Sequence, residues 1–240
     1  MPGATLRLVL TWARLFALSV GPFWSATVAF AEGPTILILD ASASMAETLG
    51  EGTRLDAAKH AAVQAVEMIY QHQPTHPIAL VSFYDGCWVD HMVKEAPLDD
   101  ALEDVLKGIK GLQTRAYGHT PIAQSLRLAT ELLDGREGRV LLVSDGQESC
   151  DEAVDLCQFS KELNAQNAFL EVSIVGLALS QTQKKALRCI PEETGGVFLE
   201  ADSGEALETA LGLVSRQSIE PPLARCFDNR GGLMARWCEE

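Results

Sequence analysis

The stretch Ile36-Leu37-Ile38-Leu39-Asp40-Ala41-Ser42-Ala43-Ser44-Met45 decides the fold. Its four leading apolar residues read as a buried strand, and the turn that follows carries an Asp, a Ser and a Ser at alternate positions. Three hard oxygen side chains converging at the C-terminal end of a strand suit a hard divalent cation.

Outward from this stretch the chain alternates strands and helices. Arg54–Gln71 has apolar residues at Leu55, Ala58, Ala62, Val66 and Ile69, the spacing of a helix face. Ile78–Phe83 reads as a strand and Trp88–Met92 as a short partner across a tight turn, which forces that pair to be antiparallel. A helix over Asp99–Lys107, a loop over Gly108–His119 and a helix over Pro121–Leu133, with proline at its first position, follow. Arg139–Val143 is the next strand, and a helix ends near Asn164. Leu170–Val175, a helix around Gln183–Arg188, Val197–Leu199 and a helix over Gly204–Val214 complete the pattern, and Pro221-Pro222 closes the domain. Repeated strand–helix units with short connections predict an α/β fold. It is doubly wound, a Rossmann-like three-layer sandwich with a mainly parallel central sheet and one antiparallel edge strand.

Ligands of such folds bind in the crevice beyond the C-terminal strand ends. Acceptor oxygens reach that rim from Asp40-x-Ser42-x-Ser44, from Thr120 and from Asp145-Gly146. Each has an ordinary alternative. Asp40 or Ser42 could cap the first helix, Thr120 stands where a helix cap belongs, and Asp-Gly is a common turn dipeptide. Together, in this order, the five positions match the metal-ion-dependent adhesion site of von Willebrand factor type A domains, which this chain resembles over about residues 34–217. The stretches Gly118-His119-Thr120-Pro121-Ile122-Ala123 and Val143-Ser144-Asp145-Gly146 carry the likeness further. The fourth position of the first motif, commonly Gly in the family, is Ala43. The resemblance extends to exported bacterial members of the family.

The resemblance implies that Ser42 and Ser44 coordinate Mg²⁺ through their hydroxyls, with Thr120 joining directly or through water. Asp40 and Asp145 act directly or through water. Mn²⁺ suits the same ligands, and Ca²⁺ suits them less well if the site is tight. One position stays exchangeable for an Asp or Glu of a partner protein, and Arg115, Tyr117, His119, Gln147 and Glu148 form the rim around it. The competing class is a Mg²⁺-dependent hydrolase built on the same carboxylates. Against it, the chain has no G-x-S-x-G elbow and no phosphate-binding loop.

Composition narrows the field. A formal charge of −14 lacks the basic footprint of a nucleic-acid binder. Arg7 and Arg14 precede an apolar run over Leu15–Ala31 that ends in Ala29-Phe30-Ala31, the form of a secretory leader spanning 1–31. The run is interrupted by Gly21-Pro22, which argues for cleavage over retention as an anchor, and no other stretch is long enough to span a bilayer. The expected organisation is a leader (1–31), one domain (32–217) and a tail (218–240) in a periplasmic or secreted protein. The six cysteines, Cys87, Cys150, Cys157, Cys189, Cys226 and Cys238, suggest disulfides in an exported chain. Cys226–Cys238 would close the tail. Cys150–Cys157 is a second candidate if the following helix begins near Val154 or later, since a fully helical spacer would hold the two apart.

Overall fold

The computed structural model describes residues 33–93, 101–151, 153–167 and 170–217. The expected leader and tail, with Cys226 and Cys238, lie outside these residues. In chain order come β1 (Thr35–Asp40), a 3-10 turn (Ala43–Ala46), β2 (Thr48–Leu49), β3 (Gly52–Thr53), α1 (Arg54–His72), β4 (Ile78–Asp85) and β5 (Trp88–Val93). Then follow α2 (Ala101–Gly111), α3 (Ile122–Leu133), β6 (Gly138–Ser144), α4 (Leu156–Gln166), β7 (Leu170–Leu177), α5 (Gln181–Thr194), β8 (Phe198–Ala201) and α6 (Gly204–Gln217). The main sheet runs β5-β4-β1-β6-β7-β8, and only the β4–β5 pair is antiparallel.

The apolar run of β1 is explained by its central place. Successive side chains of a strand point to opposite faces. Leu37 and Leu39 pack with the buried faces of α1, α2 and α6, while Ile36 and Ile38 pack with those of α3, α4 and α5. A strand buried on both sides cannot alternate apolar with polar, so its run is continuous. The expected three-layer fold is the observed one.

The connections fix where ligands can bind. The chain leaves β1 through α1 to β4 on one side, and leaves β6 through α4 to β7 on the other. The C-terminal ends of the adjacent strands β1 and β6 therefore splay their loops apart and open a crevice. Asp40 is the last residue of β1, and Asp145 directly follows β6.

Several expected boundaries move, each for a physical reason. Helix α2 continues through Gly108 to Gly111, because Val105, Ile109 and Leu112 keep one face buried and packing outweighs the glycine penalty. Helix α3 starts at Ile122, and Pro121 occupies the cap with ψ 68°, outside the helical range. The two-residue strands β2 and β3, joined through Gly50 at φ 64°, are too short to leave a periodic signal. Thr53 then caps α1 in a reciprocal box with Asp56.

The Cys150–Cys157 expectation is corrected. Cys87 bonds Cys150, and Cys157 bonds Cys189. Helix α4 does begin late enough for a Cys150–Cys157 bridge, but Asp155 caps it and fixes Cys157 in its first turn against α5. Cys150 instead belongs to the loop after β6, where its amide donates to Glu148. The two bridges span 63 and 32 residues, and loop closure of that length stabilises by about 4 kcal/mol each in the chain-entropy account. Peptide mapping without reductant should recover these two pairs, and replacing Cys157 and Cys189 by serine should lower Tm by roughly 10 °C. A Cys150–Cys157 peptide in the map would contradict the assignment.

Candidate metal centre

The turn after β1 is organised around Asp40, which is fully buried. Its Oδ1 accepts from the Ser42 amide at 2.8 Å, and its Oδ2 accepts from the Ser144 hydroxyl at 2.6 Å. These two bonds fold the chain back on itself and join β1 to β6. Ser44 then reaches across the crevice, its Oγ donating to Asp145 Oδ1 at 2.7 Å. The Ser42 and Ser44 hydroxyl oxygens stand 3.1 Å apart.

The capping alternatives for these residues fail. Thr53 caps α1, so neither Asp40 nor Ser42 does. Ser42 precedes the 3-10 turn without a side-chain cap bond. At α3 the cap position is Pro121, and the Ala123 amide donates to Glu148 Oε2 at 2.8 Å, leaving Thr120 no capping role. Ala43 is not among the residues with positive φ, so the turn does not need the glycine common in the family.

Thr120 is buried and held by its neighbours: its amide donates to Ser149 Oγ at 2.9 Å and its carbonyl accepts from the Ser149 amide at 3.1 Å. A Cβ at Gly146 would stand 3.2 Å from Thr120 Oγ1, so the glycine admits this hydroxyl beside Asp145. Gly118 serves the same purpose on the other side. A Cβ there would meet Tyr84 O at 2.9 Å and the Ala43 amide at 3.0 Å, and its carbonyl accepts from Ala43 N. The loop bearing Arg115, Tyr117 and His119 is thereby pressed against the serine turn.

Among the described residues no group of three or more His, Cys, Asp or Glu gathers that could by itself hold a metal ion. The converging set is two carboxylates and three hydroxyls, all hard oxygen donors. Adjacent ligands at about 2.0–2.1 Å on an octahedron lie about 3 Å apart, which the Ser42–Ser44 spacing of 3.1 Å matches. The residues present therefore fit a small divalent cation.

The rim departs from expectation at Glu148. Its Oε1 accepts from the amides of Cys150 and Asp151 and its Oε2 from Ala123, so the carboxylate is spent on tying the loop to α3 instead of facing outward. Arg115, Tyr117, His119 and Gln147 are exposed. The turn between β4 and β5 joins them: Gly86 N donates to Tyr117 O at 3.2 Å, and His119 N donates to Gly86 O at 3.1 Å. This brings in Trp88, 80% exposed beside a Tyr117 that is 82% exposed, and the Cys87–Cys150 bridge straps the turn to the loop after Asp145. Arg115 lies over the Tyr84 ring at 5.5 Å. Sequence reasoning also passed over Arg54, whose Nη1 donates to Asp145 Oδ2 at 2.8 Å. A basic residue opening a helix carries no motif, and only the fold reveals its neighbour.

Burial pushes the Asp40 carboxyl up from 3.8 to about 6, and the nearby Asp145 charge pushes in the same direction, against the hydrogen bonds from Ser144 and Ser42. The sign of the resulting pH dependence is fixed. Below pH 3.8 Asp40 is protonated in both folded and unfolded chains. As pH rises to about 6 the unfolded chain releases its proton while the folded one keeps it, so the stability contributed by the neutral buried group is progressively lost. In chelator, the wild type should lose about 3 kcal/mol relative to Asp40→Asn between these limits, measured by denaturant unfolding. Parallel pH profiles for the two proteins would contradict this placement of Asp40.

A family model for the von Willebrand factor type A domain matches residues 35–147. No curated protein sequence matches the chain. Among solved structures, a von Willebrand factor type A protein from Catenulispora acidiphila superposes with a TM-score of 0.65 at 17% identity, over 79% of this chain and 43% of that one. The conserved hypothetical protein BatB of Bacteroides thetaiotaomicron gives 0.60 at 14% identity, over 78% and 98%. The pilus adhesin SpaC of Lactobacillus rhamnosus GG, in its open conformation, gives 0.62 at 14% identity, over 78% and 30%. This chain thus spans less than half of the Catenulispora protein and under a third of the adhesin. At these identities the superpositions speak for the fold alone. The family match covers that segment of this chain, and the six-stranded, mostly parallel sheet has the fold of these solved structures.

Proposed function

We propose that the protein is an exported recognition domain that binds a divalent cation, Mg²⁺ first among the candidates, and uses it to capture an acidic side chain of a partner protein. One observation carries this reading: Ser44 bonds Asp145 across the β1–β6 crevice while the Ser42 hydroxyl stands 3.1 Å from that of Ser44. The bound ion would supply an electrophilic, exchangeable coordination position for a partner's Asp or Glu. Ser42, Ser44 and Thr120 offer neutral oxygens to hold it. Asp40 and Asp145 orient those hydroxyls and balance charge. Exposed Tyr117, Trp88, His119 and Arg115 offer apolar and polar contacts beside the captured carboxylate.

The residues favour binding over hydrolysis. Among the described residues the hydroxyls of Ser42 and Ser44 bond to each other, that of Ser44 also donates to Asp145, and no histidine bonds to either. A serine nucleophile needs such a base. We further read residues 1–31 as a leader removed on export, residues 32–217 as the domain and 218–240 as a tail closed by Cys226–Cys238. Two bridges within the domain suit an oxidising compartment outside the cytoplasm. Among the described residues no helix is long and apolar enough to cross a membrane.

Calorimetry on the purified mature protein should detect Mg²⁺ binding by the wild type and at least roughly ten-fold weaker binding by Asp40→Ala and by Thr120→Ala. A pull-down from the exported fraction should capture a partner that EDTA releases. Absence of Mg²⁺ binding by the wild type would overturn the metal reading. Phosphatase turnover abolished by Asp40→Ala would overturn the non-enzymatic one.

A further inference from the structure

The residue in this crevice that neither motif nor helix chemistry explains is Arg54. It opens α1, where the helix dipole disfavours positive charge. Its side chain is only 17% exposed, and its guanidinium is divided between two carboxylates. Nη1 donates to Asp145 Oδ2 at 2.8 Å, and Nη2 meets Glu47 Oε2 at 2.6 Å. Among the described residues the buried Nε has no hydrogen-bond partner. Leaving a buried donor unmatched has a cost, so the side chain is not placed to satisfy its own hydrogen bonds. What places it is charge. The Asp145 carboxylate has no exposed surface, and Arg54 is the cation beside it.

Asp145 is consequently engaged at both oxygens by donors of this chain, Ser44 at Oδ1 and Arg54 at Oδ2. An arginine stays charged at every pH the protein meets. Of the two carboxylate charges in the crevice, those of Asp40 and Asp145, one is therefore offset from within the chain. The geometry points to Arg54 as a built-in counter-ion of the metal site: it neutralises Asp145, holds that carboxylate to an indirect role beside Ser44, and so weakens cation binding while leaving the bound cation in need of an external carboxylate. This rests on the proposed metal-dependent function and specifies how its ligand demand is set. Glu47, which shares the guanidinium and is 61% exposed, tunes the effect.

The charge and shape of Arg54 are separated by Arg54→Gln, which removes the charge, and Arg54→Lys, which keeps it. Calorimetric titration with Mg²⁺ alone should give roughly ten-fold tighter binding for Arg54→Gln and binding within about three-fold of wild type for Arg54→Lys. Melting in EDTA should place Arg54→Gln below wild type, and saturating Mg²⁺ should close that gap, because the ion then supplies the charge that Asp145 lost. A purely structural arginine would leave the same gap with and without Mg²⁺. Glu47→Gln, at an exposed position that does not threaten folding, should concentrate the guanidinium on Asp145 and weaken Mg²⁺ binding by roughly three-fold; this arm decides the matter if Arg54→Gln does not fold. Mg²⁺ binding by Arg54→Gln that is unchanged or weaker, a melting gap that persists, or an unchanged affinity in Glu47→Gln overturns the counter-ion role while wild-type binding keeps the metal reading intact. Absence of Mg²⁺ binding by the wild type overturns the metal reading and the role together.

Discussion

The Ser44–Asp145 hydrogen bond, 2.7 Å long, closes a crevice that the topology has already opened. Strands β1 and β6 are neighbours in the sheet, but the chain leaves them in opposite directions. Nothing in the sheet's own hydrogen bonding would bring the two departing loops together. The cross-link does so with polar atoms, and it is seconded by Ser144 to Asp40 in the reverse sense. Two aspartates, each at the end of one strand, thus accept from a serine on the other strand or the turn beyond it. Everything proposed for the site depends on this reciprocal arrangement, because it fixes hydroxyl lone pairs in one place before any ligand arrives.

Around that pair the molecule spends much of its unusual chemistry on holding loops. Gly118 and Gly146 allow backbone and hydroxyl to approach within distances that a side chain would block. Glu148 accepts from three amides, and the Cys87–Cys150 bridge ties the β4–β5 turn to the same loop. These features surround the crevice, so a loop cluster that would otherwise move with solvent is fastened on several sides. Preorganisation of this kind lowers the ordering cost of binding and suits a surface meant to recognise a partner.

The core architecture was legible in the sequence because it rests on periodicity. The four-residue apolar run of β1, the helical spacing from Leu55 to Ile69 and the strand pair around Tyr84–Cys87 each carry a signal longer than the noise. The grouping of Asp40, Ser42, Ser44, Thr120 and Asp145 was legible for another reason: each stands at a strand end or helix start, and the fold brings such positions to one rim. What escaped were features fixed by tertiary proximity alone. Cys150 has Cys157 seven residues away but bonds Cys87, while Cys157, in the first turn of α4, bonds Cys189 of α5. Glu148 looked like an outward ligand by adjacency to Asp145, yet three unpaired amides nearby claimed its carboxylate. Gly108 looked like a helix stop, and burial of Ile109 and Leu112 overrode it.

The central claim is that Ser42, Ser44 and Thr120 hold a cation while Asp145 stands behind them. Anomalous diffraction from crystals of the mature protein soaked in Mn²⁺ tests it most directly. The account predicts one strong peak within direct bonding distance of the Ser42 and Ser44 hydroxyls, with the Arg54–Asp145 pair retained. A peak elsewhere on the acidic surface, or none in the crevice at saturating Mn²⁺, would contradict it.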